Sequence, residues 1–202
     1  MLLFYKGFDG KGLMPRSDAP PMPGRMTIGL YNSYDPVKMH EAHRRALARA
    51  GPLCMGFDCN LVAIGFPFGC EMRTPAEIVA WISETTSIGK DGQYLIKLAE
   101  AGRFQAVDFP DRGFQPQYGL PVLTTCRPDP KKAMSPRQAA EEHARGQSVL
   151  LILGLGPRGV PKNIHQMCPR HLDVTGRGLS METATAMGAV PAAINAYLQS
   201  LK

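Results

Sequence analysis

At 202 residues, 44% of them apolar, the chain is long enough to bury one full core and short enough that several domains are not expected. No apolar run approaches membrane-spanning length, and Lys6, Gly7 and Asp9 interrupt the opening MLLFY before it could serve as a signal peptide, so a soluble, cytoplasmic protein is expected. The formal charge of +6 is uneven: Lys38, Arg44, Arg45 and Arg49 face only Glu41 within 37–51, and nine Lys or Arg face four Asp or Glu within 127–177, around an acidic middle. If folding joins the two basic stretches, they form a phosphate-binding footprint; otherwise they are solvated faces. Five cysteines, an odd number without paired spacing, point to reduced thiols. Cys54, Cys59 and Cys70 lack metal-ligand spacing and Cys168 with His171 is a lone pair, so no metal is expected.

In chain order, residues 1–25 are punctuated by Pro15, Pro20, Pro21 and Pro23 and read as an extended arm on a domain spanning 26–202. MTIGLY at 26–31 is a strand. Asp35 and Pro36 look like an N-cap and a first helical residue, and Met39, Ala42, His43, Ala46, Leu47 and Ala50 recur at helical spacing up to Gly51, a stop signal. PLCMGF is ambiguous, and LVAIGF at 61–66 suits a strand buried on both faces. Thr74, Pro75 and Glu77 form a capping box for a helix through Trp81 and Ile82, and a further helix is expected from Gly92 to Ala101. Strands follow at 103–109 and 121–125, and Ser135, Pro136 and Gln138 start a helix that Gly146 ends. The alternation predicts an α/β fold, a mainly parallel sheet with helices on both faces.

The most informative stretch is 148–198. It reads as a strand, VLLIL; a glycine-proline loop; a short strand, HLDVT; a second glycine loop ending in LSMETA; and a closing helix. Ligands of open α/β sheets sit beyond the carboxyl ends of strands, which places a cofactor here, with TTCRPDP after the 121–125 strand as a third loop. Gly154, Gly156 and Gly159 match G-x-G-x-x-G, with Asp173 near the position of a ribose-binding acid. That fingerprint needs its glycines to open a helix, and Pro157 and Pro161 argue against a regular helix there. About a dozen residues is also short for a right-handed strand-helix-strand crossover. An NAD-binding oxidoreductase is the lesser alternative.

The combination of NSYDP leading into HRRALARAG, then LLILGLGPRGVP, then HLDVTGRGLSMETATAMGAVPAAI resembles the SPOUT RNA methyltransferases, and among them an archaeal branch without an assigned activity. The resemblance spans roughly 26–200. It implies a C-terminal trefoil knot, S-adenosylmethionine bound in bent form inside it, a homodimer, and tRNA or rRNA as substrate. Carried over by position, Thr124, Thr125, Gly154, Gly159, Leu172, Val174, Leu179 and Ser180 would bind the cofactor.

The resemblance also makes Arg45 the catalytic candidate, six residues before Gly51, with Arg44 as substitute. The plain alternative for Arg45 is an exposed pair with Glu41 at i,i+4. His40 and His43 are weaker candidates for a base. Glu182, the second catalytic candidate, either steers substrate or dimer contacts or simply favours a helix N-terminus behind Ser180. Ribose-methylating relatives have an Asn and a Glu where this chain has Lys38 or Met39 and then Gly156, and an Asn where it has Glu182. Ribose and base acceptors therefore both stay open, as does a non-catalytic RNA-binding protein on the same scaffold. The stripe Met187, Pro191, Ile194 and Leu198 reads as core or dimer interface.

Overall fold

The computed structural model describes residues 24–69, 72–87 and 92–201, so most of the expected N-terminal arm lies outside the described residues. Strands β1 (Met26–Asn32), β2 (Cys59–Ile64), β3 (Phe104–Val107), β4 (Leu120–Thr124), β5 (Val149–Leu155) and β6 (Arg170–Leu172) make one sheet in the order β3-β2-β1-β5-β4-β6. Every neighbouring pair is parallel. Helices α1 (Glu41–Gly56), α2 (Pro75–Thr85), α3 (Gly92–Glu100), α4 (Pro136–Ala144), α5 (Lys162–Met167) and α6 (Thr183–Ser200) fill the connections. No helix among the described residues is long and apolar enough to cross a membrane.

Strand alternation sends Ile28, Leu30, Leu61, Ala63, Leu151 and Leu153 into a core shared with α1, α2, α3, α4 and α6. The opposite face carries Tyr31, Val62, Ile64, Leu150 and Ile152, covered more thinly by Ile164 of α5, by Cys168, and by Tyr118 of a short 3-10 turn. Helices thus stand on both faces, but unequally. The expected stripe on the closing helix is mostly core: Met187, Pro191 and Ile194 are buried and Leu198 packs beside them.

Both expected capping boxes are present. Thr74 Oγ1 accepts from Glu77 N (3.2 Å) while Glu77 Oε2 accepts from Thr74 N (2.8 Å), and Ser135 and Gln138 repeat the exchange. α1 departs from expectation at both ends. Asp35 does cap, but caps a turn of its own, since Oδ1 accepts from Val37 N and Lys38 N; the helix starts five residues later, after His40. Gly51 does not stop it. A Cβ at Gly51 would sit 2.8 Å from Leu95 N, so the glycine lets α1 lie close against α3, and the helix runs on through Pro52 and the ambiguous PLCMGF. Packing along α1 outweighs the hydrogen bond that Pro52 cannot make.

Three other expectations need adjustment. β2 begins at Cys59, two residues earlier than read, and β6 is only Arg170–Leu172, because Asp173 turns the chain to bond Thr175 and Gly178. A helix does follow the glycine-proline loop: α5 begins directly after Pro161, which occupies its N-cap position. The short connection suffices because it spans a short helix and delivers β6 beyond β4.

β6 lies between β4 and the segment that leaves β4. Thr125 N donates to Leu172 O (2.9 Å) on one side; on the other, His171 N donates to Lys132 O and Met134 N to His171 O, both at 2.8 Å. Ala133 and His171 form an isolated parallel bridge.

Candidate functional site

The carboxyl ends of β5, β4 and β6 and the loops after them border an open cleft of about 980 Å³. Thr124, Thr125, Gly154, Gly159, Leu172, Val174, Leu179 and Ser180 all line it, together with Glu182. The loops are tied together below the opening. Thr124 Oγ1 donates to Ile152 O (2.8 Å), and Thr183 Oγ1 donates to Gly154 O (2.9 Å), so β4, β5 and the start of α6 hold one another. Gly156 has φ +138°, and a Cβ there would sit 2.9 Å from Ser33 O; Ser33 Oγ in turn donates to Leu155 O (3.1 Å). The glycine loop is thereby pressed against the segment leaving β1. Asp173 stiffens the other wall: burial alone would raise its pKa, but hydrogen bonds from Thr175, Gly178 and Gly176 hold its carboxyl below the usual carboxylate value.

The G-x-G-x-x-G match does not adopt dinucleotide geometry. Gly159 N donates to Gly156 O in a tight turn, and α5 opens after Pro161 instead of at the glycines. Glu182 is itself the N-cap of α6, with Oε2 accepting from Ala184 N (3.1 Å) and Thr185 N (3.3 Å); Ser180, the expected start, lies in the preceding loop.

A smaller cavity of about 250 Å³ adjoins the cleft and shares Ala42, Leu155, Glu182 and Thr183 with it. Arg45 and Arg49 line it. The expected Glu41–Arg45 pair does not form. Glu41 instead takes both Arg44 nitrogens at 3.0 and 2.8 Å and the Ser87 hydroxyl at 2.7 Å, leaving the Arg45 guanidinium without a hydrogen bond or ion pair among the described residues. Arg44 also stacks 5.6 Å over Trp81. Arg127, Arg158 and Lys162 line the cleft, so side chains from the two basic stretches meet around adjoining cavities. Lys132 does not join them: its Nζ donates to His165 O, Gln166 O and Cys168 O and caps the carboxyl end of α5.

The family described as "Protein of unknown function (DUF531)" matches residues 26–195. The chain belongs to that family. An uncharacterised archaeal relative, from Methanocaldococcus jannaschii, is 45% identical to this DUF531 chain over 173 residues, covering 86% of it and 95% of the relative. Among solved structures, a putative methylase family protein from Neisseria gonorrhoeae superposes with a TM-score of 0.54 at 17% identity over 87% of this chain and 84% of its own. A TrmH/SpoU tRNA modifying enzyme from A. aeolicus gives a TM-score of 0.51 at 14% identity over 89% of this chain and 79% of its own. The chain shares its α/β fold with these two structures.

Several residues of the DUF531 site have no signature in the sequence. Asn32, at the end of β1, is buried and fully used: Nδ2 donates to Asp35 O (2.8 Å) and Gly65 O (2.9 Å), while Oδ1 accepts from Tyr34 N (3.2 Å) and from His43 Nε2 (3.0 Å). His43 Nδ1 accepts from His40 N (3.0 Å), so the imidazole is the neutral Nε2–H tautomer. Burial, then the neighbouring His40, push its pKa below the ordinary value. His43 is a satisfied core residue, and His40 bonds Asp35 Oδ2 at 2.7 Å. On the opposite wall His165 lines the cleft and donates from Nε2 to Val160 O (3.2 Å). Burial and then His171 depress its pKa too. His43 and Gly65, 11 and 33 residues from Asn32, are too far away in sequence to be paired with it by inspection.

Proposed function

We propose that the chain is an S-adenosylmethionine-dependent RNA methyltransferase acting on tRNA or rRNA as a homodimer, with residues 26–202 as its catalytic domain. The observation that carries this reading is convergence. Eight positions nominated by resemblance alone, from three separate loops, line a single cleft, and cations from the two basic stretches line it and the cavity adjoining it. The insertion of β6 between β4 and Ala133 supports the threaded C-terminus that the resemblance implies. The fold likeness to a tRNA modifying enzyme supports RNA as the substrate class.

The residues present suit such a cofactor. Leu172, Val174 and Leu179 offer an apolar slot, and Gly159, which lines the cleft with nothing within 4 Å of where a Cβ would stand, lets a ligand come up to the main chain there. S-adenosylmethionine, when bound, supplies a methyl group on a sulfonium sulfur, ready for transfer. The protein's work is then to align the acceptor, exclude water and accommodate any proton released. Arg45 and Arg49, which line the smaller cavity, would hold an acceptor phosphate there, and Glu182, with one oxygen committed to the α6 amides, borders both cavities.

Calorimetry with S-adenosylmethionine and with NAD tests the cofactor: binding of the first and not the second is expected, and binding of NAD alone would overturn the reading. Transfer of a tritiated methyl group to unmodified tRNA or rRNA tests catalysis. Cofactor and RNA binding without labelled RNA would favour the non-catalytic RNA-binding protein, for which the absent Asn and Glu speak.

A further inference from the structure

Three of the large apolar side chains exposed to solvent line the cleft: Tyr34, Leu179 and Met181 are 49%, 62% and 38% exposed. Tyr34 is the aromatic one of the three, and its backbone and ring both have partners. Its backbone N–H donates to Asn32 Oδ1, and its ring packs against His40 and His43, each 5.4 Å away between centroids. Its Cα would lie 3.1 Å from a Cβ at Gly156, so the residue is seated directly on the glycine loop. A half-exposed aromatic ring, packed against two imidazoles in a cleft that Arg158, Lys162 and Arg127 also line, has the two properties of a single-strand platform: a flat face for a base and cations for its backbone.

We propose that Tyr34 stacks on an unpaired nucleobase of the RNA at the mouth of the cleft. This rests on the RNA reading above and deepens it. It assigns the substrate class as RNA with an exposed, unstacked nucleotide, in a loop or bulge or flipped out of a helix. A base inside an A-form duplex has both faces covered by its neighbours and gives Tyr34 nothing to stack on.

The test measures binding of unmodified tRNA and rRNA transcripts to the wild-type chain, Tyr34→Ala and Tyr34→Phe, with S-adenosylhomocysteine affinity measured in parallel. Loss of one base–aromatic stack should weaken RNA binding by Tyr34→Ala by about fivefold to 150-fold. Tyr34→Phe keeps the ring and should stay within about twofold, and neither change should alter S-adenosylhomocysteine affinity. Wild-type RNA binding that survives Tyr34→Ala overturns the stacking role and leaves the methyltransferase reading standing. Equal losses in both variants also overturn it, since the hydroxyl and not the ring face would then be responsible. A loss confined to S-adenosylhomocysteine would place the ring on the cofactor instead. If the wild-type chain binds no transcript, the RNA reading fails and takes this inference with it.

Discussion

Arg44 and Arg45 are adjacent on α1 and have opposite fates. Arg44 is consumed by Glu41 and Trp81, whereas Arg45 faces a cavity and has no hydrogen-bond or ion-pair partner among the described residues. An arginine left unpaired at the edge of a basic cleft is available to an incoming phosphate. Arg45→Ala should therefore leave S-adenosylmethionine affinity unchanged and reduce turnover of methylated RNA at least tenfold, roughly the effect of losing one positioned charge contact. Steady-state turnover and calorimetry on the same variant check this, and unchanged turnover would remove Arg45 from the mechanism. The sequence allowed Arg45 to be nominated but paired it with the wrong neighbour, because i,i+3 and i,i+4 partners are equally reachable on a helix and tertiary contacts choose between them. Asn32 and Tyr34 were not legible at all: Asn32 is bonded to His43 and Gly65, 11 and 33 residues away.

Among the elements, those with a self-contained start signal were read most accurately. α2 and α4 begin where their capping boxes stand, since both halves of a capping box lie within four residues. α1 shows the limit. Its Gly51 is a stop signal locally and a close-contact residue globally, and only the position of α3 reveals which. Gly51→Ala separates the two effects with a definite sign. Helix propensity would favour alanine by about 1 kcal/mol, but a Cβ 2.8 Å from Leu95 N must push backbone against backbone. The expected outcome is a net loss of about 1–3 kcal/mol, typical of an overpacked contact. A urea midpoint at or above that of the wild-type chain would show that α1 and α3 can move apart freely. α5 was missed for a related reason: Pro161, taken as a breaker, stands where proline can introduce a helix.

At the scale of the whole molecule, the parallel α/β class and the position of the cleft beyond the strand ends were legible from alternation alone, while the strand order was not. β1 pairs with β5 across more than a hundred residues, and no local pattern encodes that choice. Buried and half-buried histidines tie this architecture to pH. Burial lowers the pKa of His43, His143 and His165. Each therefore binds fewer protons folded than unfolded, so stability should fall as the pH drops through the ordinary histidine value near 6.5 and level off only below the depressed folded values. The carboxylates whose pKa values are lowered, Asp35, Glu41, Glu77 and Asp173, begin to cost stability only at lower pH, as they titrate towards their own folded values. Urea midpoints at pH 7.5 and 5.5 should differ, with the lower value at 5.5; equal midpoints would mean that the histidines open to water without resistance.

β6, three residues long, stands last in the sheet, where a strand ordinarily presents a free row of amides and carbonyls to any passing chain. Here His171 already gives its N–H to Lys132 and its carbonyl to Met134, so the protein's own backbone occupies the place an intruder would take. The same clasp that frames the cleft thus protects this border against edge-to-edge polymerisation and fibril growth.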